Sequence, residues 1–154
     1  MKPTHFFLLL LPLVTACSEA ATQPSKAVVT TYSQADSPQA LAHFLRSAAP
    51  NKRVPIVYFY ADWCGPCRRF RAALPSAQVD EALQRATIIK VNVDSCQELA
   101  AYYGITAVPT FLKVTTQGQP VAKITSAAWG ADEPAEIAPV MAKLANTASY
   151  DLKP

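Results

Sequence analysis

The stretch from Val57 to Cys67 reads Val-Tyr-Phe-Tyr-Ala-Asp-Trp-Cys-Gly-Pro-Cys. It joins a nearly unbroken apolar run, from Pro55 to Ala61, to a pair of cysteines. Such a run predicts a strand that is covered on both faces of its sheet. The residues after the second cysteine, 68–74, have a helical pattern. The cysteines are therefore expected at a strand-to-helix junction.

The spacing of Cys64 and Cys67 suits reversible disulfide chemistry. If the helix starts near Cys64, both side chains lie on one helix face, about 5–6 Å apart at Cβ. Small adjustments bring them to the roughly 3.5–4.5 Å of a disulfide. The helix amino terminus favours a thiolate on Cys64, and thiolate is the attacking species in disulfide exchange. Cys67, one turn deeper, is expected to resolve the mixed disulfide.

Two other interpretations of this cysteine pair are open. A zinc ribbon needs a second pair of ligands, and only Cys96 and His43 remain, neither in a paired motif. A permanent structural disulfide is also possible, although so short a loop closes little chain entropy. Redox chemistry is the interpretation that the pattern favours, with no metal.

Composition narrows the class of protein. The chain has 154 residues, of which 51% are hydrophobic and 16% charged, and its formal net charge is +3. That charge is too small for a nucleic-acid-binding surface, so no nucleic-acid partner is expected. The length suits a single domain with its own core. We expect that domain over residues 27–147, with a tail over 148–154.

The start of the chain has the pattern of a secretion signal. A lysine at position 2 precedes the apolar run Phe6–Val14, which is shorter than the roughly 20 residues of a spanning helix. Residues 1–16 are therefore predicted to be a signal peptide. The sequence Val14-Thr15-Ala16-Cys17 resembles the lipobox of bacterial lipoproteins, which implies lipidation of Cys17. The alternative is an ordinary signal peptide whose removal discards Cys17.

Lipidation would fix the location of the protein. Residues 17–26 are small and polar after the cysteine, as expected of a tether between lipid and domain. The protein would lie in the cell envelope, anchored through Cys17 and facing the periplasm. In Gram-negative lipoproteins, a serine such as Ser18 after the cysteine resembles an outer-membrane destination.

The remaining patterns predict an α/β domain. Strands are expected over 27–32, 55–61, 86–94, 110–115 and 121–125, and helices after Ser37, after Cys67, over 97–103 and from Glu133. Pro75 should interrupt the second helix. The order β-α-β-α-β-α-β-β-α gives parallel neighbours followed by an antiparallel hairpin. A mixed central sheet with helices on both faces follows.

Three ordered segments resemble the thioredoxin family. They are Val57–Cys67, Lys90–Asp94 and Tyr103–Thr110, and the resemblance extends from about Val28 to Leu144. It implies the thioredoxin fold and a cis peptide bond at Val108–Pro109, facing the cysteines, with the Val108 backbone pairing with substrate. Trp63 is expected to pack beside Cys64 and shape the rim of the site, and Gly65 and Pro66 are further candidates for binding substrate or supporting the site.

The sequence departs from the family at the position of its buried acid. Thioredoxins usually carry Asp or Glu six residues before the first cysteine, and this chain has Tyr58. A phenol with a pKa near 10 is not an anionic base at neutral pH. One hypothesis is that Lys90, with the Tyr58 hydroxyl or a water, handles protons for Cys67. The other is that Tyr58 fills the core and Lys90 extends to solvent.

The expected activity is dithiol–disulfide exchange through Cys64-Gly65-Pro66-Cys67. Gly-Pro between the cysteines resembles the reducing members of the family, so a protein-disulfide reductase is favoured. It would act on substrate protein disulfides as a monomer, without a cofactor, and take electrons from a membrane thiol donor. The alternatives are a disulfide oxidase or isomerase with the same pair, and a binding module for client or metal-delivery proteins.

Overall fold

A computed structural model describes residues 26–49 and 53–147. The predicted signal peptide over 1–16, the proposed lipid attachment at Cys17, the tether up to residue 25 and the tail over 148–154 lie outside these described residues. Among the described residues, no helix is long and apolar enough to cross a membrane.

A five-stranded mixed sheet forms the centre of the domain, as predicted. Its strands are β1 (Val28–Thr31), β2 (Val54–Tyr60), β3 (Ala86–Asn92), β4 (Thr110–Val114) and β5 (Pro120–Thr125). The spatial order is β1-β3-β2-β4-β5, with β1, β3 and β2 parallel and β4 and β5 antiparallel to their neighbours. Strand β2 is therefore central and is buried along nearly its whole length.

Within residues 26–49 and 53–147, five α-helices surround the sheet, and their ends follow local sequence signals. They are α1 (Pro38–Ala48), α2 (Gly65–Ala73), α3 (Ala77–Ala82), α4 (Gln97–Tyr102) and α5 (Pro134–Asn146). The Ser37 hydroxyl accepts the Ala40 N–H at the start of α1, and Ser76 caps α3 in the same way. Pro75 does interrupt the second helix, and the chain resumes as the separate helix α3.

The sheet separates two hydrophobic cores, which confirms helices on both faces. Tyr58 points to the core that includes Phe70 of α2, Phe111 of β4 and Ile137 of α5. Its neighbour Phe59 points to the other core, under α1 and α4, which includes the residues Leu41, Leu45, Ile89 and Leu99. This alternation follows from the two-residue period of a strand. The cysteine pair belongs to the Tyr58 side.

The connection between β5 and α5 is attached to α2 through one carboxylate. Asp132 accepts hydrogen bonds from the Trp129 indole N–H at 2.8 Å and from Arg69 Nε at 2.6 Å. Trp129 is only 7% exposed and packs against Phe70 and Phe111. The Trp129 hydrogen bond, together with Arg69, holds the pKa of Asp132 below its usual range despite partial burial.

We expect Asp132→Ala to destabilise the protein at neutral pH by about 1–2 kcal/mol, because two hydrogen bonds to a carboxylate are lost. A lowered native pKa means that this contribution is present above the unfolded-state pKa, near 4, and is lost as pH falls through the native pKa. Urea unfolding at pH 7 and at pH 3 measures it. Asp132→Asn, which keeps an acceptor for Trp129, is the control. If Asp132→Ala lowered the free energy of unfolding equally at both pH values, the stabilising role of the Asp132 carboxylate would be contradicted.

Candidate redox site

Cys64 and Cys67 are disulfide-bonded at the junction of β2 and α2, with their Cα atoms 5.2 Å apart. Cys64 is the N-cap residue of α2, and its sulfur accepts the backbone N–H of Cys67 at 3.1 Å. A cap residue usually supplies an oxygen for this bond, and here the sulfur takes that role. The strand-to-helix placement of the pair is as the sequence predicts.

The environment of the pair favours an anionic Cys64. The unpaired N–H groups at a helix start carry partial positive charge. The first turn of α2, which lies wholly within the described chain, contains no acidic residue. Cys64 is 4% exposed and Cys67 fully buried. Both cysteines are thus buried, and Cys64 is the one placed at the helix start.

The segment before β4 lies beside the cysteines. The Val108–Pro109 peptide bond is cis, as the family resemblance implies, and the Val108 carbonyl oxygen is 3.5 Å from Cys64 Sγ. Pro109 is buried, and the Thr110 hydroxyl donates to the Ala107 carbonyl at 2.7 Å. Residues from distant parts of the sequence therefore meet at one end of the sheet.

Trp63 lies at the solvent-facing edge of the site. It is 68% exposed, and its indole N–H donates to Asp94 at 3.3 Å. Arg68 donates from Nη1 to the carbonyls of Asp62 and Trp63, both at 3.2 Å. These contacts hold the loop that precedes Cys64. Gly65 and Pro66, which follow it, are half-buried in the first turn of α2.

Tyr58 contacts the helix that carries the cysteines. The residue is fully buried, and its hydroxyl donates to the Cys67 carbonyl oxygen at 3.1 Å. Its ring stacks on Phe111 with centroids 4.9 Å apart. Burial raises the pKa of Tyr58 to about 12, so the group is a neutral phenol at physiological pH. Tyr58 thus cannot supply the negative charge of the acid it replaces.

Lys90 lies opposite Tyr58 in the pairing of β2 and β3. Its Nζ is 5.7 Å from the centroid of the Tyr60 ring, a cation–π distance. The two hypotheses for Lys90, proton handling for Cys67 or a side chain that extends to solvent, both stay predictions.

The inward orientation of the Arg71 side chain is not predicted by the sequence. Arg68, Arg69 and Arg71 follow the motif as a run that suggests a solvated helix face. Arg71 is instead turned towards β2, with a side chain 25% exposed and Cζ 5.1 Å from the Tyr60 ring centroid. The spacing of Arg71 from Cys67 could have indicated this orientation, because a residue four positions after the buried Cys67 lies on the same face of the helix.

Cys96 is a buried thiol in the core opposite the redox pair, and it forms no disulfide with any described residue. Burial raises the pKa of Cys96, so its thiolate fraction at neutral pH falls. We expect iodoacetamide to label Cys64 in the reduced native protein well before Cys96, and urea to remove the difference. Peptide mass spectrometry measures both rates. Equal native labelling would instead support Cys96 as a second redox thiol.

The described residues thus combine a mixed sheet, a Cys64–Cys67 disulfide at a helix start and a cis peptide bond at Val108–Pro109 beside it. The thioredoxin family model matches residues 37–143, and the chain belongs to the thioredoxin family.

Individual relatives agree over shorter stretches. Mitochondrial thioredoxin-2 of Schizosaccharomyces pombe is 37% identical over 75 residues, which cover 49% of this chain and 54% of the relative. Thioredoxin of Bacillus subtilis is 36% identical over 67 residues, covering 43% and 62%. The matches thus span less than two thirds of these relatives.

Solved structures agree with the fold. Fasciola hepatica thioredoxin is similar with a TM-score of 0.51 and 26% identity, covering 75% of this chain and 97% of that one. A mutant thioredoxin from Halobacterium salinarum has a TM-score of 0.52 and 23% identity, covering 85% and 96%. The predicted thioredoxin fold is thereby confirmed.

Proposed function

We propose that the protein is a cell-envelope reductase of protein disulfides. The Cys64 thiolate attacks one sulfur of a substrate disulfide, the substrate S–S bond breaks, and one substrate thiolate leaves. Cys67, deprotonated, then attacks Cys64 Sγ, which closes the Cys64–Cys67 bond and releases the second substrate thiolate. Both thiolates take protons from solvent. Two electrons pass to the substrate, and no cofactor takes part.

One observation carries this proposal. The sulfur of Cys64 occupies the cap position of α2 and accepts the Cys67 N–H at 3.1 Å, while Cys67 lies fully buried behind it. That N–H stabilises a thiolate on Cys64 when the disulfide opens. Val108, 3.5 Å from the same sulfur, offers its backbone to an extended substrate segment beside the reacting atoms.

The reducing direction rests on the residues between the cysteines. Gly65-Pro66 resembles the reducing members of the family. A reductase in an oxidising compartment needs electrons, and we assign their supply to a membrane thiol donor. The site is tested by the equilibrium constant of the Cys64–Cys67 pair with glutathione, and by reduction of a model protein disulfide. A potential above about −180 mV would instead favour an oxidase or isomerase.

The location is part of the proposal. The apolar run before Cys17 and the lipobox-like Val14–Cys17 support anchoring of the mature protein through Cys17. More than one acyl chain is needed for stable attachment, which a lipoprotein anchor supplies. Fractionation of cells that produce the full chain or Cys17→Ala tests this. Wild type should sediment with membranes, whereas equal distribution of both chains would favour an ordinary signal peptide.

A further inference from the structure

Arg71 follows Cys67 by four residues in α2 and carries a buried hydrogen-bond donor without a well-aligned partner among the described residues. That donor is its Nη1 atom. An unpaired buried donor is costly, more so on a charged group. A buried polar atom without a partner calls for an explanation, and a redox or catalytic role is one such explanation. Reduction of the Cys64–Cys67 bond is the change of state that this site undergoes.

The surroundings leave the guanidinium charge largely unneutralised. Its only acidic neighbour among the described residues is Asp62, with Oδ1 4.0 Å from Nη2 and a side chain 76% exposed. An ion pair so long and so exposed is weak. The other charged or titratable groups facing this place are Tyr58 and Tyr60 of β2 and Lys90 of β3. None of them is an anion at neutral pH.

Arg71 also contacts Tyr58, whose hydroxyl is hydrogen-bonded to the backbone of Cys67. Burial raises the pKa of Tyr58, and the charge of Arg71 together with a side-chain hydrogen bond from it lowers that pKa in part. The Tyr58 hydroxyl donates to the Cys67 carbonyl oxygen at 3.1 Å. Arg71 is one helical turn after Cys67, so the guanidinium, the phenol and the cysteine lie on one side of α2.

We propose that Arg71 is a positioning residue of the redox centre, whose guanidinium stabilises the thiolate that forms on Cys67 when the disulfide is reduced. The inference rests on the proposed function, since it concerns the resolving thiol of that exchange. The expected effect of Arg71 on the pKa of Cys67 is opposite to that of the family's buried acid, because a carboxylate disfavours a nearby thiolate and a guanidinium favours it. Arg71 would thus lower the Cys67 pKa and speed resolution of the mixed disulfide. It would also make the pair somewhat less reducing wherever Cys67 is ionised.

The test measures ionisation of Cys67 without any substrate. In full-length Cys64→Ser protein, iodoacetamide labelling of the Cys67 peptide is followed by mass spectrometry from pH 6 to 10. Replacing Arg71 by Met should lower the Cys67 thiolate fraction at a fixed pH by about tenfold, one pKa unit. Arg71→Lys should restore most of it, since charge and not shape is the cause.

Two control substitutions make the result decisive. Arg68→Met removes an equal charge from the exposed side of α2 and should shift the Cys67 profile much less, because solvent screens it. Tyr58→Phe keeps the ring and should give a smaller shift in the same direction, which also covers the case that Arg71→Met fails to fold. The proposal is overturned if Arg71→Met and Arg71→Lys shift the pH profile of Cys67 labelling alike, if neither shifts it, or if only Lys90→Met shifts it.

This outcome is separate from that of the proposed function. A wild-type protein that fails to reduce protein disulfides would defeat the reductase assignment while leaving the Cys67 titration intact. An unshifted titration in an active reductase would defeat only the role of Arg71.

Discussion

Replacing Cys67 by Ser should stop turnover and trap substrates. The first attack by Cys64 needs only its own thiolate, so a mixed disulfide still forms. Resolution requires the second sulfur, and a serine hydroxyl does not displace a thiolate from a disulfide. Covalent complexes should therefore accumulate while the rate of protein-disulfide reduction falls to the uncatalysed level. Non-reducing gels and mass spectrometry of the trapped partners measure the two effects.

The controls for this experiment are Cys64→Ser and the double replacement of both cysteines, which should trap nothing. Cys96→Ala should trap and turn over like the wild type. Trapped complexes of equal amount in the Cys64→Ser variant would mean that another thiol attacks the substrate. Client binding that survives removal of both site cysteines would favour a binding module over an enzyme.

The largest effect on stability is expected at Phe70. This side chain is fully buried in α2, three residues after Cys67. Its ring lies 4.5 Å from that of Phe111 and 5.0 Å from that of Tyr58, centroid to centroid. Phe70→Ala should lower the free energy of unfolding by about 3–5 kcal/mol, through lost burial and the cavity left behind.

Urea unfolding of the oxidised protein measures this loss, with Phe70→Leu as the matched control. Leucine keeps most of the apolar volume and should cost less than about 1.5 kcal/mol. Because Phe70 anchors the helix that carries both cysteines, the Ala variant should also change the potential of the pair. A loss below about 1 kcal/mol would show that the cluster closes around the gap.

Much of the site could be predicted from local sequence. The Cys-Gly-Pro-Cys spacing after an apolar strand predicts a disulfide at a helix start, since strand and helix periods fix where those side chains point. The cis bond at Val108–Pro109 came only through family resemblance, because most X-Pro bonds are trans. The ends of α1 followed from Ser37 and Pro38, whose capping chemistry is local.

Contacts between distant residues could not be predicted in this way. Arg69 and Asp132 meet across 63 positions of sequence, and no periodicity encodes that pairing. The orientation of Arg71 could not be predicted for a different reason. A long cationic side chain can extend to solvent or turn inward from the same helix position, so adjacent arginines look alike in sequence. What distinguishes Arg71 is the aromatic surface of Tyr58 and Tyr60, which only the fold brings beside it.

The division of the interior by β2 has a consequence for engineering this domain. The cysteines, Tyr58 and Phe70 occupy one compartment, whereas Leu41, Leu45 and Leu99 occupy the other. Substitutions at sites that share no contacts usually have additive effects. Repacking the α1–α4 compartment around Leu41 and Leu45 should therefore raise the heat tolerance of the domain with little effect on the redox pair, provided that Val93 and Val108, which pack against both compartments, are kept. Val108 is the link between the two compartments, since it packs against both and its carbonyl oxygen lies 3.5 Å from Cys64 Sγ.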